Sequence, residues 1–206
     1  MGNFQLGNFQ LDSKLLCYYK FVMKKEVVYA FIDSQNLNLG TSKNLYRNKK
    51  LIYKGWRLDF KKFRKYLSDK FRVKKAFLFI GYIKQNERMY KKLRSYGYDL
   101  VFKPTVKDNQ GKPKGNVDAE LVLYSAAVEY KNYDKAVIVS GDGDFYCLHE
   151  FLVKKIKLLR IVIPNVKSES SLLKPFQKYK IFIIYDKNKL EFKPQKMGGV
   201  AHRHVV

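Results

Sequence analysis

The chain has 206 residues, enough for one domain of ordinary size with tails. Hydrophobic residues make up 46% of it, which excludes a disordered chain, while 42 Lys and Arg against 18 Asp and Glu give a formal charge of +24 and point to a polyanionic partner such as nucleic acid. Cys17 and Cys147 lack any CxxC or Cys/His spacing, and every apolar run is short and broken by lysines, so the sequence offers no disulfide framework, no structural zinc and no membrane span.

Residues 1–22 carry a direct repeat, GNFQL at 2–6 and 7–11, and show no relation to the rest of the chain. They are expected to form a disordered arm or to reflect an early start codon, with a single domain at 23–186 and a loose basic tail at 187–206. No basic stretch leads into an apolar core and a small-residue cleavage site, so the expected location is the cytoplasm.

From residue 26 strands and helices alternate. Glu26–Asp33 is a near-continuous apolar run ending in an acid, the pattern of a buried parallel strand. Residues 57–70 place Leu58, Phe60, Phe63, Tyr66 and Leu67 at helical spacing. Residues 73–83 read as a strand and 85–96 as a helix closed by Gly97. Asp99–Thr105 is a third strand, and Lys107–Gly115 is a loop by composition. A helix opening at Asn116 or Asp118 reaches about Tyr130. A fourth strand, Lys135–Ser140, runs into Gly141-Asp142-Gly143-Asp144, where the glycines are expected to permit a sharp turn. A helix at Phe145–Lys155, a strand at 156–163, a short helix at Ser168–Lys178 and a strand at Ile181–Tyr185 complete the series. Cys147 falls in an apolar stretch and is expected to be buried. This alternation predicts an α/β fold with a mostly parallel sheet of five to six strands, whose ligands sit at the carboxyl ends of the strands.

Four acids fall at that edge: Asp33, Asp118, Asp142 and Asp144. Taken singly, Asp118 reads as a helix N-cap and Asp142 or Asp144 as a turn residue. Asp33 is harder to dismiss, because it places a charge at the end of a buried strand. Together they would repel unless a cation joined them, and oxygen ligands suit Mg²⁺ or Mn²⁺. Such an ion can acidify water and stabilise the charge of a phosphodiester transition state. Asp33 is followed by Ser34 and Gln35, which excludes a phosphatase pattern with a second aspartate two residues on. No GxGxxG follows the first strand, which excludes the dinucleotide fingerprint.

The segment Phe31-Ile32-Asp33-Ser34-Gln35-Asn36-Leu37 resembles the FIDxxNL opening of NYN domains, the LabA-like branch of the PIN-like nucleases. Lys114-Gly115-Asn116-Val117-Asp118 resembles that family's K-G-x-D helix start with one extra residue, and Ser140–Phe145 (SGDGDF) matches its third signature. The resemblance spans about residues 26–185. It implies a Rossmann-like, three-layer PIN-like domain and a divalent-metal pocket that hydrolyses RNA, with endonucleolytic cleavage expected. By position, Asp33, Asp118, Asp142 and Asp144 would hold metal, Asn36 would position water or phosphate, and Ser140 would brace the pocket. Where many relatives carry another acid two turns into the helix, this chain has Tyr124, with Glu120 as a partial substitute. Lys174–Lys180 (KPFQKYK) supplies no acid where relatives often have one. A catalytically weak RNA-binding module of the same fold is therefore the competing reading.

Lys107, Lys112 and Lys114 flank the expected pocket as phosphate contacts. Arg47, Lys49, Lys50, Lys54 and Arg57 are interleaved with Tyr46, Tyr53 and Trp56, a mixture able to grip a nucleic-acid strand by charge and stacking. The alternative is a loop that packs its aromatics onto the domain. His149 is expected to pack or lie at the surface, and His202 and His204 to have no role.

Overall fold

A computed structural model describes residues 25–104, 106–107, 113–114 and 117–194, with the backbone alone at 106–107 and 113–114. Strand β1 (Val28–Asp33) leads into helix α1 (Ser34–Ser42), then a hairpin of β2 (Leu45–Arg47) and β3 (Lys50–Tyr53). Helix α2 (Phe60–Phe71), strand β4 (Val73–Gly81), helix α3 (Glu87–Ser95) and strand β5 (Asp99–Lys103) come after it. A two-stranded ribbon, β6 (Val106–Lys107) and β7 (Pro113–Lys114), occupies part of the expected 107–115 loop. Next come helix α4 (Asp118–Leu123), strand β8 (Lys135–Val139), helix α5 (Tyr146–Lys154), strand β9 (Leu158–Ile163), strand β10 (Lys180–Phe182) and helix α6 (Lys187–Leu190).

Six strands form one parallel sheet in the order β10-β9-β8-β1-β4-β5. The chain builds outward from β1 through β4 to β5 on one side, and from β8 through β9 to β10 on the other. The strand order thus reverses between β1 and β8, where an open α/β sheet leaves its ligand crevice.

Side chains of β1 alternate between two cores, as a strand buried on both faces must. Ala30 and Ile32 pack with Leu37 of α1 and Phe63, Leu67 and Phe71 of α2. Tyr29 and Phe31 pack with Val117, Leu121 of α4 and Leu148 and Leu152 of α5. The result is the three-layer α/β fold that the alternation predicts. Among the described residues no helix is long and apolar enough to cross a membrane.

Local signals set several boundaries. Helix α2 begins at Phe60 because the Asp59 side chain accepts from Lys61 N and Lys62 N at 3.0 and 3.1 Å. Gly97 follows α3 with φ of 89°, the left-handed geometry its type predicts. Helix α4 does not continue regularly to Tyr130 but widens into a π turn over Tyr124–Val128. The segment expected to be a helix at 168–178 is a run of 3₁₀ turns at Ser171–Tyr179, capped by Ser170. The last strand ends at Phe182, because Ile183–Asp186 turns away.

Residues 187–192, read from sequence as part of the tail, fold onto the domain. Leu190 is buried, Leu58 bridges Glu191, and the Arg57 guanidinium lies 4.1 Å above the Phe192 ring. Cys147 is exposed rather than buried, since it lies on the outer side of α5 while Leu148 and Leu152 face the core.

Candidate active site

Asp33 is the last residue of β1 and only 5% exposed. Its Oδ1 accepts from Gln35 N and Asn36 N, both at 3.0 Å, and so caps α1. Burial pushes this carboxyl up to about 6, with the charges of Asp118 and Asp142 adding to the rise and the two amides opposing it. Carboxylates from two other stretches of chain therefore act on Asp33 at the end of β1, beside the β1–β8 switch point. Asp118 opens α4 on one face of the sheet, and Asp142 follows β8.

The turn after β8 is held from both sides. Gly141 N donates to Asn36 Oδ1 at 2.9 Å, which ties it to α1. Asp142 N donates to the buried Ser140 Oγ at 3.2 Å, and Asp144 N to Asp142 Oδ1 at 3.1 Å. From the other side, Ser170 N donates to Gly141 O at 3.0 Å. A Cβ on Gly143 would stand 2.3 Å from Ser170 Oγ. Neither Gly141 nor Gly143 has a positive φ, so the turn does not demand glycine by backbone conformation; a side chain at Gly143 would instead crowd Ser170 and Leu172, displacing the Ser170 hydroxyl. Beside Ser170, Glu169 pairs with the buried Lys180 of β10 and fastens this loop to the sheet.

The remaining candidates separate. Asp144 lies in the first turn after Asp142 and is exposed. The Glu120 carboxylate pairs with Lys103 Nζ of β5 at 3.1 Å. Its Oε2 is buried and outside hydrogen-bond geometry there, so charge alone offsets its desolvation. Tyr124 packs edge-on against Phe79 at 5.5 Å and tilted against Phe77 at 6.1 Å, so its ring is committed to packing. His149 is fully buried against Phe176, with neither nitrogen hydrogen-bonded, and burial pushes its pKa down to about 4. It is a neutral packing residue.

The donor chemistry of the rim suits a hard divalent cation: carboxylate oxygens from Asp33, Asp118 and Asp142, at least one of them desolvated and charge-crowded. Among the described residues, no three His, Cys, Asp or Glu side chains already converge into a finished metal cage.

Of the expected phosphate contacts, Lys112 and the side chains of Lys107 and Lys114 lie outside the described residues. Arg47 and Lys54 are exposed. Arg57 is engaged by Phe192. Tyr53 and Trp56 do not face solvent: Trp56 Nε1 donates to Tyr53 Oη at 2.8 Å, and Tyr53 Oη donates to Thr41 O at 3.2 Å. Sequence reasoning missed Ser170, Glu169 and Thr41. Ser170 could have been found as a helix-capping serine; Glu169 and Thr41 carry no local signal, since their roles come from Lys180 and from Tyr53 and Trp56.

The NYN domain model matches residues 28–181. No curated protein matches the chain. The crystal structure of a Vibrio parahaemolyticus protein of unknown function superposes with a TM-score of 0.62 at 21% identity, covering 82% of this chain and 97% of that one, a likeness of fold. The chain thus belongs to the NYN domain family, within a PIN-like superfamily whose members are generally nucleases that act on nucleic acid and usually use divalent metal ions.

Proposed function

We propose that this protein is a metal-dependent ribonuclease of the LabA-like branch, cutting RNA endonucleolytically at the β1–β8 rim. The observation that carries the reading is Asp33: a carboxylate buried at the end of an apolar strand, raised towards neutrality, and facing the charges of Asp118 and Asp142. Capping α1 does not by itself call for this arrangement, since Ser, Thr or Asn caps a helix as well, and the burial and like charges disfavour the ionised carboxylate.

In this reading Asp33, Asp118 and Asp142 hold Mg²⁺ or Mn²⁺, with Asp144 at the exposed mouth. The ion, when bound, acidifies water and neutralises charge developing on the phosphodiester. The residues of the chain do the placing. The Gln35 and Asn36 amides fix the Asp33 carboxylate, and Asn36 locks the Asp142 turn to α1 through Gly141. Ser140 keeps that turn closed from below. Lys107, Lys112 and Lys114 supply phosphate contacts, and the high positive charge gathers RNA around a small acidic site. The reading assigns the protein to the cytoplasm.

Tyr124, packed where relatives hold an acid, favours a second reading: an RNA-binding module with a weakened site. One experiment separates them. Purified protein is incubated with labelled RNAs and DNAs in Mn²⁺, Mg²⁺ or EDTA, beside Asp33→Asn and Asp142→Asn. The expected result is metal-dependent RNA cleavage, reduced by at least about 100-fold in each variant. RNA binding without cleavage, equal in all three proteins, would replace the nuclease by the binding module.

A further inference from the structure

The β2–β3 hairpin stands apart from the main sheet, pairing only within itself among the described residues. Leu45 and Tyr53 face each other across it, and Tyr53 turns into the core. The next pair, Tyr46 and Leu51, points to the other side and is left in solvent: Tyr46 is 62% exposed and Leu51 44%, with Ile52 38% exposed beside them. Beyond them the tip is Arg47-Asn48-Lys49-Lys50, a two-residue turn with φ of 50° and 61° at Asn48 and Lys49. From Ser34 to Leu58 the sequence has no acid at all, against Lys43, Arg47, Lys49, Lys50, Lys54 and Arg57.

An apolar and aromatic face inside a purely cationic stretch repels basic partners and is poorly matched to water. Its complement must carry both negative charge and flat apolar faces. A single nucleic-acid strand presents both, whereas a duplex keeps its base faces stacked away.

The hairpin is also firmly based. Tyr53, Trp56 and Thr41 form a buried hydrogen-bonded relay, Trp56 N donates to Thr41 O at 2.8 Å, and Gly55 N donates to Asn44 Oδ1 at 2.8 Å. A Cβ on Gly55 would fall 2.0 Å from Ser42 O, so only glycine lets the hairpin close onto the end of α1. The other end of α1 is capped by Asp33. One helix therefore connects the hairpin to the aspartate rim.

Building on the nuclease reading, we propose that the β2–β3 hairpin is a clamp for unpaired RNA, with a base stacked on Tyr46 beside Leu51 and the neighbouring phosphates on Arg47 and Lys50. It selects single strands and sets the distance from the held base to the cleavage point.

The test is anisotropy of a short unstructured labelled RNA and of its duplex, measured in EDTA so that nothing is cut, with wild type, Tyr46→Ala, Tyr46→Phe, an Arg47→Ala/Lys50→Ala double variant and Asp33→Asn. Tyr46→Ala is expected to weaken single-strand binding about 10-fold and leave duplex binding unchanged, with Tyr46→Phe restoring it. The double variant should lower the salt dependence by about two counterions. Cleavage of the same RNA in Mn²⁺ is followed in parallel: Asp33→Asn, which removes a negative charge from the rim, should lose cleavage while binding in EDTA at least as tightly as wild type, so that loss of cleavage and loss of clamping are read separately. Equal single-strand affinity for wild type and Tyr46→Ala would overturn the clamp even if cleavage stands. So would self-association of the protein that Tyr46→Ala abolishes, which would make this face a contact between copies.

Discussion

Asp33 is a buried aspartate and Asp186 a half-buried one in a strongly cationic protein, and their surroundings are opposite. At the seam of α2 and α6, Asp186 accepts from Tyr66 Oη at 2.9 Å and Lys70 Nζ at 3.0 Å, with Lys189 close by, and these partners hold its carboxyl below the usual range despite burial. At the rim, Asp33 has two backbone amides, and the charges acting on it are those of other aspartates. The chain has lysines in abundance and spends them on Asp186. The contrast teaches that Asp186 is met by cations and a hydroxyl donor of its own seam, whereas the charges that shift Asp33 are of its own sign.

The sharpest way to break this comparison is Asp33→Asn. The amide keeps an acceptor for the α1 cap but carries no charge. Folded Asp33 titrates near 6, against about 3.9 in an unfolded chain. Between those values the folded protein holds the extra proton, so this group's contribution to stability falls as pH rises and is fully unfavourable above about 6. In chelator at pH 7, Asp33→Asn is expected to gain about 1–3 kcal/mol in denaturant unfolding. Added Mn²⁺ should stabilise the wild type and not the variant. A loss of stability in the variant would mean that the rim is a structural ion-pair site after all.

A smaller effect is expected at His149, which is also buried without compensation but among apolar groups. Its sign is the reverse. The folded imidazole titrates near 4, against about 6.5 unfolded, so stability is lost as pH falls through that window. His149→Leu should flatten the acid limb and gain about 1 kcal/mol at neutral pH, followed by thermal melting across pH. Cleavage should not change, and a change would give His149 a role beyond packing. The smallest effect is expected for Asp186→Asn, a loss of about 0.5–1 kcal/mol, since Lys70 and Lys189 are largely solvated. A gain there would erase the contrast with Asp33.

The parts of the fold legible in the sequence are those whose burial is two-sided. β1 and β8 read as apolar runs because both faces are covered, and SGDGDF marks a strand end by its composition alone. Helix α1 was not legible: Ser34–Ser42 has few apolar residues, and it forms because Asp33 caps it and Leu37 and Thr41 pack inward. The hairpin escaped for a related reason. Only Leu45 and Tyr53 face the domain, too few for a period to show, and its turn uses Asn48-Lys49 where Asn-Gly would be the strong signal. At the site, the acids were legible by position, but Tyr124 and Glu120 took their roles from partners on β4 and β5 that no local pattern announces.

The placement of β1 at the centre of the sheet has a consequence for synthesis. Its partner β4 begins at Val73, but the edge facing β8 pairs with Lys135–Val139 and stays open until those residues have emerged. For that interval the Val28–Ile32 edge is an apolar template of the kind that nucleates aggregation. The pairing is also of high sequence separation, which slows it. The charges of Asp118 and Asp142 that add to the raised proton affinity of Asp33 come from residues far along the chain, so they act on it only once those residues have been made and brought to the end of β1.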